Sequence, residues 1–227
     1  MPTYVDITNI NEISQLPNFF IKVTSVALHK SLSLDICIMI PLLENAWQNA
    51  SDFLSFVTLI KSLHAEEKVT GNNQTQELLA YSKLNEKRMD RILKHGHCDW
   101  SQVQVKAKKW LVITEGWCGD SAQITPYLYL CAQQCGAEVR VVLRDENPEI
   151  MDLFLTNGTR SIPIIVFLDA EGAVVGQWGP RPQLLAGLVK GWKEQGLTKE
   201  TFNPLIHKWY ADDKGQACMH EWRALIG

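Results

Sequence analysis

The sequence has few cysteines and no Cys-x-x-Cys pair. Its six cysteines, at positions 37, 98, 118, 131, 135 and 218, show no regular spacing across the 227 residues. This density is far below that of small secreted domains stapled by disulfides, so we predict a reducing compartment and a cytoplasmic protein. Basic residues are not in excess either. The net charge of −3 argues against a nucleic-acid partner.

Long apolar runs are also missing. Residues 19–43 are rich in apolar side chains, but charged residues interrupt them. The longest uncharged run there, residues 36–43, is far short of the ~20 residues that a membrane span needs. Residues 1–11 contain no basic side chain, which is unlike a secretory signal peptide. We therefore expect no membrane partner. Three interpretations of residues 1–43 stay open: a packed extra segment, a poorly ordered leader, or a start codon assigned too early.

The stretch Trp117-Cys118-Gly119-Asp120-Ser121 is the most informative part of the chain. It follows a run typical of a buried strand, Trp110 to Thr114, and it opens a helical pattern. Because the N-terminal end of a helix stabilises a thiolate, and the thiolate is the nucleophile, this placement favours thiol chemistry at Cys118. Ser121 stands where a Cys-x-x-Cys site would have its second cysteine. Cys118 therefore cannot close a disulfide within the motif.

Two neighbouring side chains bear on the pKa of Cys118. Asp120 suits the first turn of a helix, but its carboxylate disfavours the thiolate by like-charge repulsion. Ser121 can donate its hydroxyl to the Cys118 sulfur and help to hold the thiolate. We expect a lowered pKa and a reactive thiol, though a less acidic one than in a strong oxidant.

The elements that follow can also be predicted. Val139 to Leu143 is typical of a second buried strand, and Pro148 opens a short helix at a favourable first-turn position. Pro163 directly precedes the apolar run Ile164 to Leu168, and a central strand rarely tolerates a proline. A cis Ile162–Pro163 bond at the strand entry accounts for it. Residues 169–172 then predict a hairpin turn, with a return strand over residues 173–178.

Taken in order, these elements resemble the thioredoxin family. The resemblance implies an α/β, thioredoxin-like fold, with a central mixed β-sheet flanked by helices and extra helices at the N- and C-termini. It also implies that the cis-proline loop lies against the nucleophilic cysteine. Ile162 and Pro163 would then bind the substrate backbone beside Cys118, with Trp117 and Gly119 next to them.

A narrower match is to a bacterial thioredoxin-like subfamily with a helical N-terminal extension, and it covers roughly residues 65–215. The chain departs from the dithiol pattern of the family at Ser121. The match rests on these motifs: Lys68-x-Thr70-Gly71-x-Asn73-Gln74, Tyr81-x-Lys83-Leu84-Asn85, Arg88-Met89, Arg144-Asp145-Glu146-Asn147, Gly158-x-Arg160-Ser161-Ile162-Pro163 and Trp178-Gly179-Pro180-Arg181-Pro182.

Helical periodicity continues on both sides of this region. Apolar residues on one face predict a helix from residue 44 to about residue 68, and a second helix spans residues 74–94 and ends at Gly96. A last helical stretch over residues 202–226 is interrupted at residues 212–215. We predict four segments: 1–43, of uncertain structure; 44–100, a helical extension packed on the main domain; 101–196, the thioredoxin-like domain; and 197–227, a C-terminal helical segment.

A thiol that resolves an intermediate on Cys118 is not evident in the sequence. Cys131 and Cys135 follow on the same predicted helix, which places them roughly 20 and 25 Å from Cys118, whereas a disulfide needs Cα atoms within ~7 Å. We interpret both as small buried residues of one helix face. Cys37, Cys98 and Cys218 cannot be placed. The expected resolving partner is a low-molecular-weight thiol or a thiol- or disulfide-bearing protein.

Other residues have a binding alternative and a plainer one. His95-Gly-His97-Cys98 and Cys218-Met-His220 could supply zinc ligands, but neither has a paired ligand spacing, so we predict surface features and no metal site. An iron–sulfur cluster is an outlying hypothesis, and we expect no cofactor. Arg160 could bind an anionic substrate group or form an ordinary salt bridge. Asp145 or Glu146 could relay protons, or simply cap the next helix.

We interpret the sequence as a thiol–disulfide exchange protein with Cys118 as its lone nucleophile, Ser121 beside it and Pro163 shaping the groove. The expected substrate contacts are Trp117, Gly119, Asp120, Ile162 and Arg160. One alternative is a non-catalytic protein-binding module that uses the same groove. Another is reduction of a peroxide or other small oxidant, with a sulfenic acid on Cys118.

Overall fold

The computed structural model describes residues 39–227. Residues 1–38, including Cys37, lie outside the described residues. The three interpretations of residues 1–43 stay open for that part of the chain. Residues 39–49 form helix α1. None of the described helices is both long enough and apolar enough to cross a membrane.

Within the described residues the strands form one mixed sheet of order β1-β3-β2-β4-β5. Strand β2 runs parallel to β3 and antiparallel to β4, while β1 and β5 pair antiparallel with β3 and β4. Both faces of β2 and β4 are covered, which explains their continuous apolar sequences. The strands are β1 (Ser51–Asp52), β2 (Lys109–Thr114), β3 (Glu138–Leu143), β4 (Ile164–Leu168) and β5 (Val174–Trp178).

Helices pack on this sheet and form two apolar clusters, to which β2 contributes alternate residues. Trp110 and Val112 belong to the larger cluster, whereas Leu111 and Ile113 belong to the smaller one, together with Cys118. The helices after α1 are α2 (Phe53–Ala65), α3 (Gln76–His95), α4 (Gly119–Cys135), α5 (Pro148–Met151), α6 (Gln183–Glu194), α7 (Lys199–Asp213) and α8 (Gln216–Ile226).

The predicted α/β, thioredoxin-like fold is confirmed. The predicted strands agree with β2 to β5 to within one residue, and α3 ends at Gly96 as expected. The Ile162–Pro163 bond is cis. In the hairpin after β4, the Asp169 N–H donates to the Ala173 carbonyl at 2.9 Å, and Gly172 takes a positive φ of 89°. These features are local in sequence, which is why the pattern of residues predicts them.

The prediction of one helix from residue 44 to 68 is wrong, because β1 divides it into α1 and α2. Ser51 and Asp52 pair with Val141 and Arg140 at the edge of the sheet. The Asp52 carboxylate then accepts the Ser55 N–H at 3.0 Å and caps the start of α2. The apolar residues predicted to share one helix face therefore belong to two helices, α1 and α2, and reach the core from each of them separately.

Cys131 is buried, as predicted for a small residue of one helix face, whereas Cys135 is only partly buried. Cys131 also forms a disulfide with Cys98, which was not predicted. Gln134 explains the approach: its side chain accepts the Trp100 N–H at 2.7 Å and donates to the Cys98 carbonyl at 2.7 Å. These bonds hold the segment before β2 against α4. Gln134 lies about one helical turn after Cys131, so Cys98 comes close to Cys131. A reducing compartment disfavours such a bridge, so the cytoplasmic location stays a prediction.

We predicted from the sequence that the two candidate zinc-ligand sets are surface features. Their cysteines are instead buried. Cys98 is 4 % exposed and Cys218 is 1 % exposed. Cys98 is held in the disulfide, and Cys218 packs in the larger apolar cluster, on α8. Their burial is explained by packing.

The Asp52 cap gives a direct test of how α2 begins. Asp52→Ala should lower the free energy of unfolding by about 1 kcal/mol, because the Ser55 N–H loses its acceptor. Asp52→Asn keeps an accepting oxygen and should stay close to the wild type. Urea denaturation of the three proteins measures the difference. An equal loss in both variants would mean that the negative charge, not the cap, stabilises this turn.

Candidate active site

Cys118 lies where the chain leaves β2 and enters α4. It is the N-cap residue of α4, and its Sγ accepts the Ser121 N–H at 3.5 Å. The preceding turn is closed by the Cys118 N–H, which donates to the Glu115 carbonyl at 3.1 Å. The sulfur therefore sits at the positive end of a helix, as the sequence predicts.

The cis-proline loop lies directly against this sulfur. The Cys118 thiol donates to the Ile162 carbonyl, with Sγ 3.4 Å from the oxygen. A second cis bond, Gly179–Pro180, packs behind this loop, and a Cβ at Gly179 would overlap the Pro163 carbonyl oxygen. Cys118, Ile162 and Pro163 are thus brought together. The Trp178–Pro182 motif has its glycine because only a residue without a Cβ fits against the Pro163 carbonyl oxygen.

The expected lowering of the Cys118 pKa is wrong. Burial raises the pKa of the thiol to about 12, and the Asp120 carboxylate adds to the rise, while the N–H groups of Ser121 and Asp120 lower it less. The residue is 7 % exposed and packs among apolar side chains of the smaller cluster. The loss of hydration of the thiolate therefore outweighs its stabilisation by the end of the helix.

Asp120 is held in a buried ionic network beside the thiol. Arg181 binds its two oxygens at 2.9 and 2.6 Å, and the Tyr210 hydroxyl donates to Oδ1 at 2.8 Å. Asp120 therefore has a partner that compensates its charge, which explains how a carboxylate stays so close to Cys118. Tyr210 lies 90 residues away in sequence, and no sequence signal marked it.

The predicted hydrogen bond from the Ser121 hydroxyl to Cys118 is not formed. Ser121 is 2 % exposed, and its Oγ has no hydrogen-bond partner among the described residues. Its backbone N–H contacts the sulfur instead. Ser121 therefore acts on Cys118 through its main chain.

Helix α3 holds the Trp117–Gly119 turn from outside. Asn85 is fully buried and donates to the Trp117 carbonyl at 3.0 Å, and Arg88 donates to Asn85 at 2.6 Å. The Tyr81 hydroxyl lies so close to Gly119 that a Cβ there would overlap it. Tyr81, Asn85 and Arg88 belong to two neighbouring sequence motifs, and their spacing on one helix face is the sequence signal for this role.

The Tyr81 hydroxyl also forms a 2.9 Å hydrogen bond with Nε2 of His207, on α7. This bond connects α3 to α7 beside the start of α4. Burial, with Arg88 and Arg181 nearby, lowers the pKa of His207 to about 4, so the imidazole is neutral at neutral pH. No sequence pattern pointed to His207.

A second set of contacts holds the turn before Trp117. The Gly116 N–H donates to Thr70 Oγ1 at 2.9 Å, and the Asp145 N–H donates to Glu115 Oε1 at 2.9 Å. Burial raises the pKa of Glu115. A Cβ at Gly71, where φ is +77°, would come within 2.6 Å of Asp145 Oδ2. The Lys68–Gln74 motif thus belongs to the scaffold of the site.

Two alternatives were open for Arg160, binding of an anionic substrate group and an ordinary salt bridge, and the structure contains the salt bridge. Arg160 makes a bidentate pair with Asp152, with both distances 2.7 Å, and about half of each side chain is exposed. Arg144 lies at the site instead: its guanidinium is 4.9 Å from the centre of the Trp117 ring and pairs with Asp145 at 2.8 Å. The substrate-binding role of Arg160 stays a prediction, because its half-exposed salt bridge does not exclude it.

Cys118 lines a cleft of about 650 Å³. Its floor is the Trp117–Asp120 turn with Ile162. One wall comes from α3 and the segment before it, and the other comes from α7. The wall and rim residues are Asn73, Thr75, Glu77, Leu78 and Tyr81 on one side, Lys199, Asn203, Ile206 and His207 on the other, and Arg144, Asp145 and Arg181 at the ends.

Comparison with known proteins agrees with this fold. A model of the family described as Thioredoxin matches residues 71–194, more than half of the chain. An HIV epitope-scaffold crystal structure is 15 % identical, covers 80 % of this chain and 95 % of its own, and superimposes with a TM-score of 0.50. A protein of unknown function from Pseudomonas aeruginosa is 19 % identical, with coverages of 79 % and 93 % and a TM-score of 0.45. No curated protein matches.

Asp120 gives a test of what controls the thiol. Asp120→Asn should lower the pKa of Cys118, because it removes a repulsive charge and leaves Arg181 nearby. Each unit by which the pKa falls raises the thiolate fraction at neutral pH about tenfold. Ultraviolet absorbance of the thiolate, followed against pH, measures the shift.

Asp145→Asn is the matched control for this variant. Asp145 borders the same cleft, but it is not among the groups that set the pKa of Cys118. It should leave the titration unchanged. Equal shifts in the two variants would contradict a specific role for Asp120.

Proposed function

This chain belongs to the thioredoxin family, and from that membership we propose that it performs thiol–disulfide exchange with Cys118 as its lone nucleophile. One observation carries the proposal. The Cys118 sulfur lies at the start of α4, 3.4 Å from the Ile162 carbonyl oxygen and beside cis Pro163, and Cys118 lines a cleft. A disulfide that enters the cleft meets Cys118 and Ile162 together, because both residues line it.

The reaction proceeds in two exchanges. The Cys118 thiol loses its proton to water, and the thiolate attacks one sulfur of a substrate disulfide, so that a new S–S bond forms as the old one breaks. The departing thiolate takes up a proton. An external thiol then attacks the mixed disulfide and restores the Cys118 thiol, because Ser121 has no sulfur with which to do so.

The raised pKa makes Cys118 a weakly reactive nucleophile at neutral pH. At neutral pH almost all of the protein carries the thiol, and the thiol hydrogen bond to Ile162 holds it in place. Because the thiolate is the attacking species, the exchange rate should increase as the pH rises toward the pKa. A thiol that is held back in this way favours a slow, selective reaction.

The same burial supports a second candidate, a non-catalytic binding module. A thiol that donates to a main-chain carbonyl and is strongly desolvated can serve as a structural side chain of the cleft floor. The cleft would then bind a ligand without covalent chemistry. Trapping the mixed disulfide separates the two functions.

The test uses hydroxyethyl disulfide, a small neutral probe, at mildly alkaline pH. Intact-mass measurement should show one adduct, peptide mapping should place it on Cys118, and added thiol should remove it. Cys118→Ser should abolish the adduct. Cys135→Ser, which removes another free cysteine, should keep it.

The binding-module alternative predicts a different pattern. Cys118 would stay unmodified over the whole pH range at which the protein is folded. A sulfenic acid formed with peroxide, without any mixed disulfide, would also count against the exchange proposal and would favour reduction of small oxidants.

A further inference from the structure

The cleft over Cys118 is closed on one side by a bridge between its two walls. The Tyr81 hydroxyl on α3 bonds to His207 Nε2 on α7 at 2.9 Å, and the same hydroxyl packs on Gly119, next to the nucleophile. A substrate chain cannot lie across this part of the turn while the bridge is in place.

The size of the cleft bears on the size of the substrate. About 650 Å³ lies within the roughly 300–1,000 Å³ range of small-molecule sites. Cys118 is 7 % exposed, so an attacked sulfur must enter the cleft to reach it. A disulfide of a folded protein is attached to two backbones, and the α3 and α7 walls keep these at a distance. A free small disulfide has no such restriction.

The charges of the cleft bear on the chemistry of the substrate. Two of its ion pairs are internal: Arg181 with Asp120 at 2.6 Å, and Arg144 with Asp145 at 2.8 Å. His207 is neutral. Two charged residues of the lining are left over, Glu77 on the α3 wall and Lys199 on the α7 wall, and neither forms an ion pair with any residue from 39 to 227.

We propose, on the basis of the exchange activity at Cys118, that the substrate is a low-molecular-weight disulfide carrying both carboxylate and ammonium groups, of the amino-acid or short-peptide class. The Lys199 ammonium binds a carboxylate of the substrate, and the Glu77 carboxylate binds its ammonium group. Asn73 and Asn203 line the same walls and supply amide groups for the polar remainder.

The reaction on such a substrate is the exchange already described. The Cys118 thiolate forms a bond to one sulfur, the S–S bond of the substrate breaks, and one half leaves as a thiolate that takes up a proton. The other half stays attached to Cys118 with its charged groups at the cleft walls. A second thiol of the same class attacks the substrate sulfur of this mixed disulfide. Cys118 then leaves as a thiolate and takes up a proton, while the attached half departs as a disulfide with the attacking thiol.

The experiment compares glutathione disulfide, which carries both kinds of charged group, with neutral hydroxyethyl disulfide. Second-order rates of adduct formation on Cys118 are measured at one pH and salt concentration. Lys199→Gln and Glu77→Gln should each slow the reaction with glutathione disulfide about threefold, as expected for exposed ion pairs. Neither should change the rate with the neutral probe.

Lys190→Gln is the matched control, because Lys190 is an exposed lysine of α6 whose nearest ionic partner is Glu194 at 3.9 Å. It should leave both rates unchanged. Insulin, as a protein disulfide, should react far more slowly with Cys118 than either small probe. Tyr81→Ala, which opens the bridge, should raise the rate with insulin more than the rate with hydroxyethyl disulfide.

Two results would overturn the substrate class. One is equal effects of Lys199→Gln and Lys190→Gln on the reaction with glutathione disulfide. The other is insulin reacting at least as fast as the small disulfides. Either result, with the neutral probe still modifying Cys118, leaves the exchange activity standing. A failure of all three probes to modify Cys118 overturns the exchange activity as well.

Discussion

The contact between the Cys118 thiol and the Ile162 carbonyl holds the site together. It exists because β2 and β4 are neighbours in the sheet, with Ile113 paired to Ile164, so the turn after one strand meets the loop before the other. Asn85 and Thr70 fix that turn from the N-terminal side of the chain, and Gly179 supports the cis-proline loop from behind. Each of these supports comes from outside the two strands. The N-terminal extension is therefore part of the construction of the site.

Two opposing effects decide the chemistry of the sulfur. The end of α4 and its N–H groups stabilise a thiolate, whereas burial and Asp120 destabilise it, and burial dominates. Arg181 and Tyr210 hold the Asp120 side chain in place near the thiol. The result is a nucleophile that stays protonated at neutral pH at the floor of the cleft. The packing that raises the pKa of the thiol also limits the access of substrates to it.

Local patterns in the sequence predicted the strands, the cis-proline loop and the position of Cys118, because each depends on neighbouring residues. They did not predict β1, whose Ser51 and Asp52 form strand structure only by pairing with β3. They did not predict the Cys98–Cys131 bridge either, which depends on the Gln134 clamp across 36 residues. The sign of the Cys118 pKa shift was missed for the same reason. Helix position is visible in sequence, but burial by α3, α7 and the apolar cluster depends on contacts between distant segments, such as that between Tyr81 and His207.

The most direct test of this account is the pH dependence of Cys118 alkylation in the wild-type protein, followed by peptide mapping with a small neutral reagent. A buried thiol with a raised pKa should react slowly at neutral pH, and its rate should rise about tenfold per pH unit without levelling off up to about pH 10. A rate that reaches its plateau below about pH 8 would contradict the account, because it would mean that the end of α4 stabilises the thiolate more than burial destabilises it.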